Sequence, residues 1–150
     1  MSESNQIELL LVEDNPEDLE MTLRALKHAN VANRIHVAYD GVEALEFIFC
    51  EGEHAARQPA DGLKVILLDL KLPRIDGLEV LKRLKGDART RMIPVVVLTS
   101  SKEQSDVVES YQLGVNSYIV KPVNFERFAD AVHDLGLYWL LLNQPPKVGE

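Results

Sequence analysis

The chain has 150 residues, enough for one ordinary domain and too few for two. With 46% apolar and 27% charged residues it can build a buried core, which excludes a disordered, collagen-like or disulfide-scaffold chain. Its 24 acidic and 16 basic side chains leave a net charge of −8, the wrong sign for neutralising nucleic-acid phosphates, and the single Cys50 excludes an internal disulfide or a multi-cysteine zinc site.

The N-terminus, MSESNQIELLLVED, lacks the basic segment and long apolar run of a signal peptide. No stretch approaches the roughly 20 apolar residues that span a bilayer, so a cytoplasmic protein without a membrane partner is expected. A first strand is predicted at Ile7–Val12. The helix after it carries Leu19, Leu23 and Leu26, with Asp14 or Asn15 as its cap and Pro16 in its first turn. A second strand, Arg34–Tyr39, leads through Asp40–Gly41 into a helix bearing Val42, Leu45, Ile48 and Phe49, which should end near Gly52. Glu51–Gly62, with Pro59 and an Asp61–Gly62 pair, reads as a surface loop. The third strand, Lys64–Leu68, is followed by Asp76–Gly77 and a helix with Leu78, Leu81 and Leu84 that stops at Gly86. Ile93–Thr99 is the fourth strand, and Val107, Val108 and Tyr111 mark the fourth helix, with Gly114 at its end. Ser117–Val120 is the fifth strand, before a last helix with Phe125, Phe128, Val132 and Leu135.

Strands this apolar are buried on both faces, which requires parallel pairing. Five strands alternating with five helices then make an α/β fold: a doubly wound, five-stranded parallel (βα)5 sheet. One domain is expected over 1–150, with its core at about 7–135 and an apolar extension at 136–150.

In such sheets sites form at the carboxyl ends of the strands. There the sequence puts Glu13–Asp14, Asp69, Thr99–Ser100 and Lys121–Pro122. Taken alone, Glu13 and Asp14 could be ordinary acids favoured near a helix N-terminus. Asp69 is harder to explain that way, because it ends an unbroken apolar strand and a lone buried charge is costly unless paired or cation-bound. Clustered carboxylates without histidine or thiolate partners form a hard oxygen site suited to Mg²⁺. Lys121 adds a point positive charge for phosphate oxygens or for the carboxylates, and Thr99 adds a hydroxyl. Pro122 is a cis-peptide candidate that would set the approach of Lys121. Together these groups suit phosphoryl transfer to a carboxylate nucleophile.

The segments LLLVEDN at 9–15, ILLDLKLPRIDGLEVL at 66–81, IPVVVLTSS at 93–101 and NSYIVKPV at 116–123 resemble the receiver domain of two-component response regulators, over about Ile7–Leu142. The resemblance implies the flavodoxin-like, CheY-like version of the fold. It makes Asp69 the phosphoacceptor, and has Mg²⁺ held by Asp14, by Glu13 through water, by Asp69 and by the backbone carbonyl of Lys71. Thr99, with Ser100 beside it, would bind the phosphoryl group and Lys121 would pair with it. Tyr118 would be the aromatic switch that turns inward as Thr99 moves. The resemblance further implies a sensor histidine kinase as phosphodonor and a non-enzymatic signalling role. Lys71 stands where such regulators often carry asparagine, which points to an altered rate of phosphate loss.

No output domain is apparent after residue 142, so an unknown downstream protein should read the signal. Leu137–Leu142 (LYWLLL) is apolar on nearly every side, and Tyr138, Trp139, Leu141 and Leu142 are candidate contacts of a homodimer. The loop at 51–62 and this ending resemble a narrower group: small single-domain regulators paired with bacterial and cyanobacterial phytochrome kinases, which tend to dimerise through their C-terminal elements. Two rival readings fit the residues less well. A haloacid-dehalogenase-like phosphatase needs a second acid two residues after its nucleophile, where this chain has Lys71. A flavin-binding protein of the same fold class would want a Ser/Thr/Gly-rich phosphate loop where Glu13, Asp14 and Asn15 stand.

Overall fold

Alternate positions along the strands divide between two cores, and that division explains why the strand sequences are apolar throughout. A computed structural model describes residues 8–28, 34–49, 63–99, 115 and 117–134. The strands are β1 (Leu9–Val12), β2 (Ile35–Ala38), β3 (Val65–Asp69), β4 (Val95–Thr99) and β5 (Ser117–Val120). They pair in parallel in the order β2-β1-β3-β4-β5. On one face Leu10, Val12, Ile66, Leu68, Val95 and Val97 are buried in a cluster with Ala44, Phe47, Ile48, Val80, Leu81 and Leu84. On the other, Leu9, Leu11, Val65, Leu67, Val96 and Leu98 are buried with Ala25, Leu26, Phe128 and Ala131. Each large apolar side chain buried this way stabilises the fold by about 1.5–3 kcal/mol.

The described helices are α1 (Pro16–His28), α2 (Gly41–Ile48), α3 (Gly77–Lys85) and α4 (Phe125–Asp134). The α2 and α3 helices supply the first core, and α1 and α4 the second. The helix expected around Val107–Tyr111, the loop at 51–62 and the apolar tail lie outside the described residues, as do Gly52 and Gly114. Helix starts follow the expected capping chemistry. Asn15, rather than Asp14, caps α1, its Oδ1 accepting the Asp18 N–H at 2.9 Å. Asp40 caps α2 and Asp76 caps α3, accepting the N–H groups of Glu43 at 2.8 Å and Glu79 at 3.0 Å. Gly86 closes α3, its N–H bonded to the Lys82 carbonyl at 2.9 Å. The Thr90 hydroxyl donates to the Leu84 carbonyl at 2.7 Å and satisfies another of that helix's terminal acceptors.

The apolar period of the last helix does not bring burial at its first position: Phe125 is exposed and packs against His28, with ring centroids 4.7 Å apart. It is the first residue of α4, and the buried stripe of that helix begins a turn later with Phe128 and Ala131.

The strand order reverses at β1, which lies between β2 and β3. That reversal opens a crevice beyond the carboxyl ends of β1 and β3. Two glycines set how closely the loop after β3 can pack there. A Cβ on Gly77 would lie 2.3 Å from the Asp69 carbonyl oxygen, and one on Gly41 would lie 1.8 Å from the Ile75 carbonyl oxygen. Neither space exists for a side chain. Arg74, in the same loop, takes a left-handed backbone (φ 69°) and pairs with Asp40 at 3.2 Å.

Candidate functional site

Asp69 is the last residue of β3, and its carboxylate is almost entirely enclosed. Glu13 and Asp14 directly follow β1, the strand beside it, so parallel register carries all three acids to the same edge. Each offers a carboxylate oxygen, and these oxygens all lie within 4.8 Å of one another. Glu13 is fully buried and Asp14 is exposed, so the cluster opens to solvent on the Asp14 side. The backbone fixes two of the acids further. Glu13 Oε2 accepts the Asn15 N–H and Asp69 Oδ1 accepts the Lys71 N–H, each at 3.2 Å.

Lys121 enters from the end of β5. Its main-chain N–H donates to the Thr99 carbonyl at 2.7 Å, tying it to the end of β4, and the Lys121–Pro122 peptide is cis. The ammonium is 2.8 Å from Glu13 Oε1, 3.0 Å from Asp18 Oδ2 and 3.1 Å from Asp69 Oδ2, with only 8% of the side chain exposed. Thr99 is buried at the end of β4. Tyr118 is 40% exposed on β5, facing outward. The Lys71 side chain is exposed in the loop after β3. Ser100, Tyr138, Trp139, Leu141 and Leu142 lie outside the described residues.

The electrostatics follow from burial and neighbours. Burial lifts the Glu13 carboxyl from its ordinary value to about 7; the Lys121 hydrogen bond opposes this, and the charge and carboxyl of Asp69 add to it. Burial alone would lower Lys121, but the Glu13 hydrogen bond, the Asp69 charge and the Asp18 hydrogen bond outweigh it and hold the ammonium above its usual range. Among the described residues one ammonium faces the carboxyl groups of Glu13, Asp14, Asp18 and Asp69, so even with Glu13 partly protonated near neutral pH the acids outweigh the lysine. An oxygen-only donor set with excess negative charge fits a hard divalent cation, and the residues present therefore suit one.

Asp18 is the site residue that sequence reasoning missed. It reads as an acid favouring the first turn of a helix, and nothing local marks it as a partner for a lysine 103 positions later.

Comparison with known proteins agrees with the geometry. Residues 9–133 match the response regulator receiver domain. The response regulator Rcp1 of Synechocystis sp. is 38% identical over 132 residues, 88% of each chain. A solved Mn(2+)-bound form of Rcp1 superposes with a TM-score of 0.73 over 94% of this chain and 99% of that one, at 35% identity. The probable methanogenesis regulatory protein FilR2 of Methanothrix harundinacea is 38% identical over 138 residues, 92% of this chain and 86% of its own. The solved bacteriophytochrome response regulator AtBRR is 52% identical, with a TM-score of 0.79 over 93% of this chain and 99% of that one. Receiver domains take a phosphoryl group on an aspartate from a histidine kinase, in an acidic pocket that binds a divalent cation. The chain belongs to the response regulator receiver domain family.

Proposed function

We propose that this receiver accepts its phosphoryl group on Asp69, with Mg²⁺ held by Glu13, Asp14, Asp69 and the Lys71 carbonyl. The observation that carries the reading is the placement of the Asp69 carboxylate 3.1 Å from the Lys121 ammonium and inside the acid cluster. A carboxylate oxygen of Asp69 attacks the phosphorus in line. The new P–O bond forms as the bond to the donor's leaving group breaks, and that group keeps the electron pair. Lys121 stabilises the charge on the transferring group from a fixed position. Bound beside it, Mg²⁺ supplies charge neutralisation for the phosphoryl oxygens.

On this reading Thr99 and Ser100 bind the phosphoryl oxygens, and Tyr118 passes from its exposed position to an inward one. That repacking changes the surface another protein reads. The phosphodonor is a phosphohistidine of a sensor kinase of the phytochrome type, in keeping with the likeness of this chain to the bacteriophytochrome response regulator AtBRR. A homodimer through Tyr138, Trp139, Leu141 and Leu142, a cytoplasmic location and the absence of any further catalytic activity complete the proposal.

The test maps the modified residue. The protein is incubated with acetyl phosphate and Mg²⁺, reduced with borohydride to trap an acyl phosphate, digested and analysed by peptide mass. The reading expects the reduced residue at position 69; modification elsewhere, or none, contradicts it.

A further inference from the structure

We propose that Asp18 is a positioning residue for the cation site: it takes up the Lys121 ammonium so that Glu13 and Asp69 stay available to a divalent cation. The inference rests on the receiver reading of the same pocket and extends it to a residue outside the metal-binding cluster.

An ammonium has three N–H bonds. Lys121 has three carboxylate oxygens within reach, at 2.8 Å on Glu13, 3.0 Å on Asp18 and 3.1 Å on Asp69. Two of those carboxylates, Glu13 and Asp69, also belong to the trio whose oxygens gather within 4.8 Å. Lysine and metal ion therefore compete for the same two acids. Among the described residues, Asp18 is the one carboxylate partner of the lysine that stands outside that trio. It comes from the first turn of α1, its N–H bonded to Asn15 and its carboxylate 31% exposed, so its position is set by the helix and not by the sheet edge.

Without Asp18 the nearly buried ammonium would have Glu13 and Asp69 alone as counterions. It would lean on them more closely, and an incoming cation would have to displace it. Asp18 also adds a negative charge close to the cation. Both effects act on cation affinity. Neither removes the nucleophile, the lysine or the hydroxyl of Thr99.

The experiment titrates Mg²⁺ alone by calorimetry into the parent, Asp18→Asn and Asp18→Glu, and measures phosphorylation by acetyl phosphate as a function of Mg²⁺ in each. The expected result for Asp18→Asn is weaker Mg²⁺ binding, on the order of fivefold as for loss of one nearby charge. Its half-saturating Mg²⁺ for phosphorylation should rise by the same factor. Asp18→Glu, which restores the carboxylate, should recover most of the affinity. Parent-like Mg²⁺ affinity in Asp18→Asn overturns the inference. So does an equal loss of affinity and saturated rate that tracks a lowered Tm and is not recovered by Asp18→Glu, since that is the mark of a purely structural role. A parent that binds no Mg²⁺ and takes no phosphoryl group defeats the receiver reading itself; a phosphorylated parent with indifferent Asp18 variants defeats only the role of Asp18.

Discussion

The Lys121 ammonium lies 3.1 Å from Asp69 Oδ2 and 2.8 Å from Glu13 Oε1, and it is the counterion that lets two carboxylates sit nearly buried side by side. Replacing it with methionine keeps much of the volume and removes the charge. Breaking a buried ion pair from one side costs about 3 kcal/mol or more. We therefore expect Lys121→Met to lose stability in chelator-treated protein. Mg²⁺ at a hundredfold over its Kd should return about 2.7 kcal/mol by binding the folded state. Urea unfolding with and without Mg²⁺ checks this; a variant as stable as the parent without metal contradicts it.

Gly77 and Gly41 should each resist the smallest possible addition. A Cβ would meet backbone carbonyl oxygens, at 2.3 Å on Asp69 and 1.8 Å on Ile75, and backbone cannot rotate away as a side chain can. Gly77→Ala and Gly41→Ala should each destabilise by about 1–3 kcal/mol, despite alanine's better helix propensity. Chemical denaturation measures the cost, and no loss in either variant would contradict the close approach.

Asp40 does two jobs, and substitution can separate them. Its Oδ1 caps α2 through the Glu43 N–H, while its Oδ2 meets Arg74 at 3.2 Å. The Arg74 side chain is 61% exposed, so the ion pair itself should contribute at most about 1 kcal/mol. Loss of an N-cap typically costs about 1 kcal/mol, up to about 2. Asp40→Ala is therefore expected to lower stability more than Arg74→Ala, by about the worth of the cap. Equal losses would assign the whole effect to the ion pair.

Asp87 offers a pH test away from the site. Hydrogen bonds from the Arg89 guanidinium and backbone N–H hold its carboxyl down at about 2, against an ordinary value of 3.8. A depressed carboxyl adds stability above its unfolded-state pKa, and that contribution disappears as pH falls from 3.8 through about 2. In Arg89→Ala the side-chain hydrogen bonds go, and NMR titration should find Asp87 moved up toward 3.8. An unmoved titration would mean that the backbone N–H alone sets the value.

Much of this arrangement was legible because its causes are local. Apolar runs gave the five strands to within two residues at each described end, and the Asp–Gly pairs at 40–41 and 76–77 marked helix starts. Glu13, Asp14, Asp69 and Lys121 could be named because each follows directly on its strand, and parallel register does the rest. What stayed hidden depends on distance in the chain. Asp18 meets Lys121 only because α1 folds back over the sheet, and Arg74 meets Asp40 across 34 residues. Gly41 and Gly77 looked like turn punctuation, whereas the fold needs them for the close approach of the loop after β3. Phe125 fitted the apolar period of its helix, but it occupies the first position, where period says little about burial.

The central claim is that Asp69 takes the phosphoryl group in a cation-dependent step. Intact mass after incubation with acetyl phosphate, with and without Mg²⁺, for the parent and Asp69→Asn, tests it most directly. The account predicts one added phosphoryl group in the parent with Mg²⁺ and none in the other three samples. An adduct on Asp69→Asn, or a folded parent that binds Mg²⁺ and stays unmodified, would contradict it.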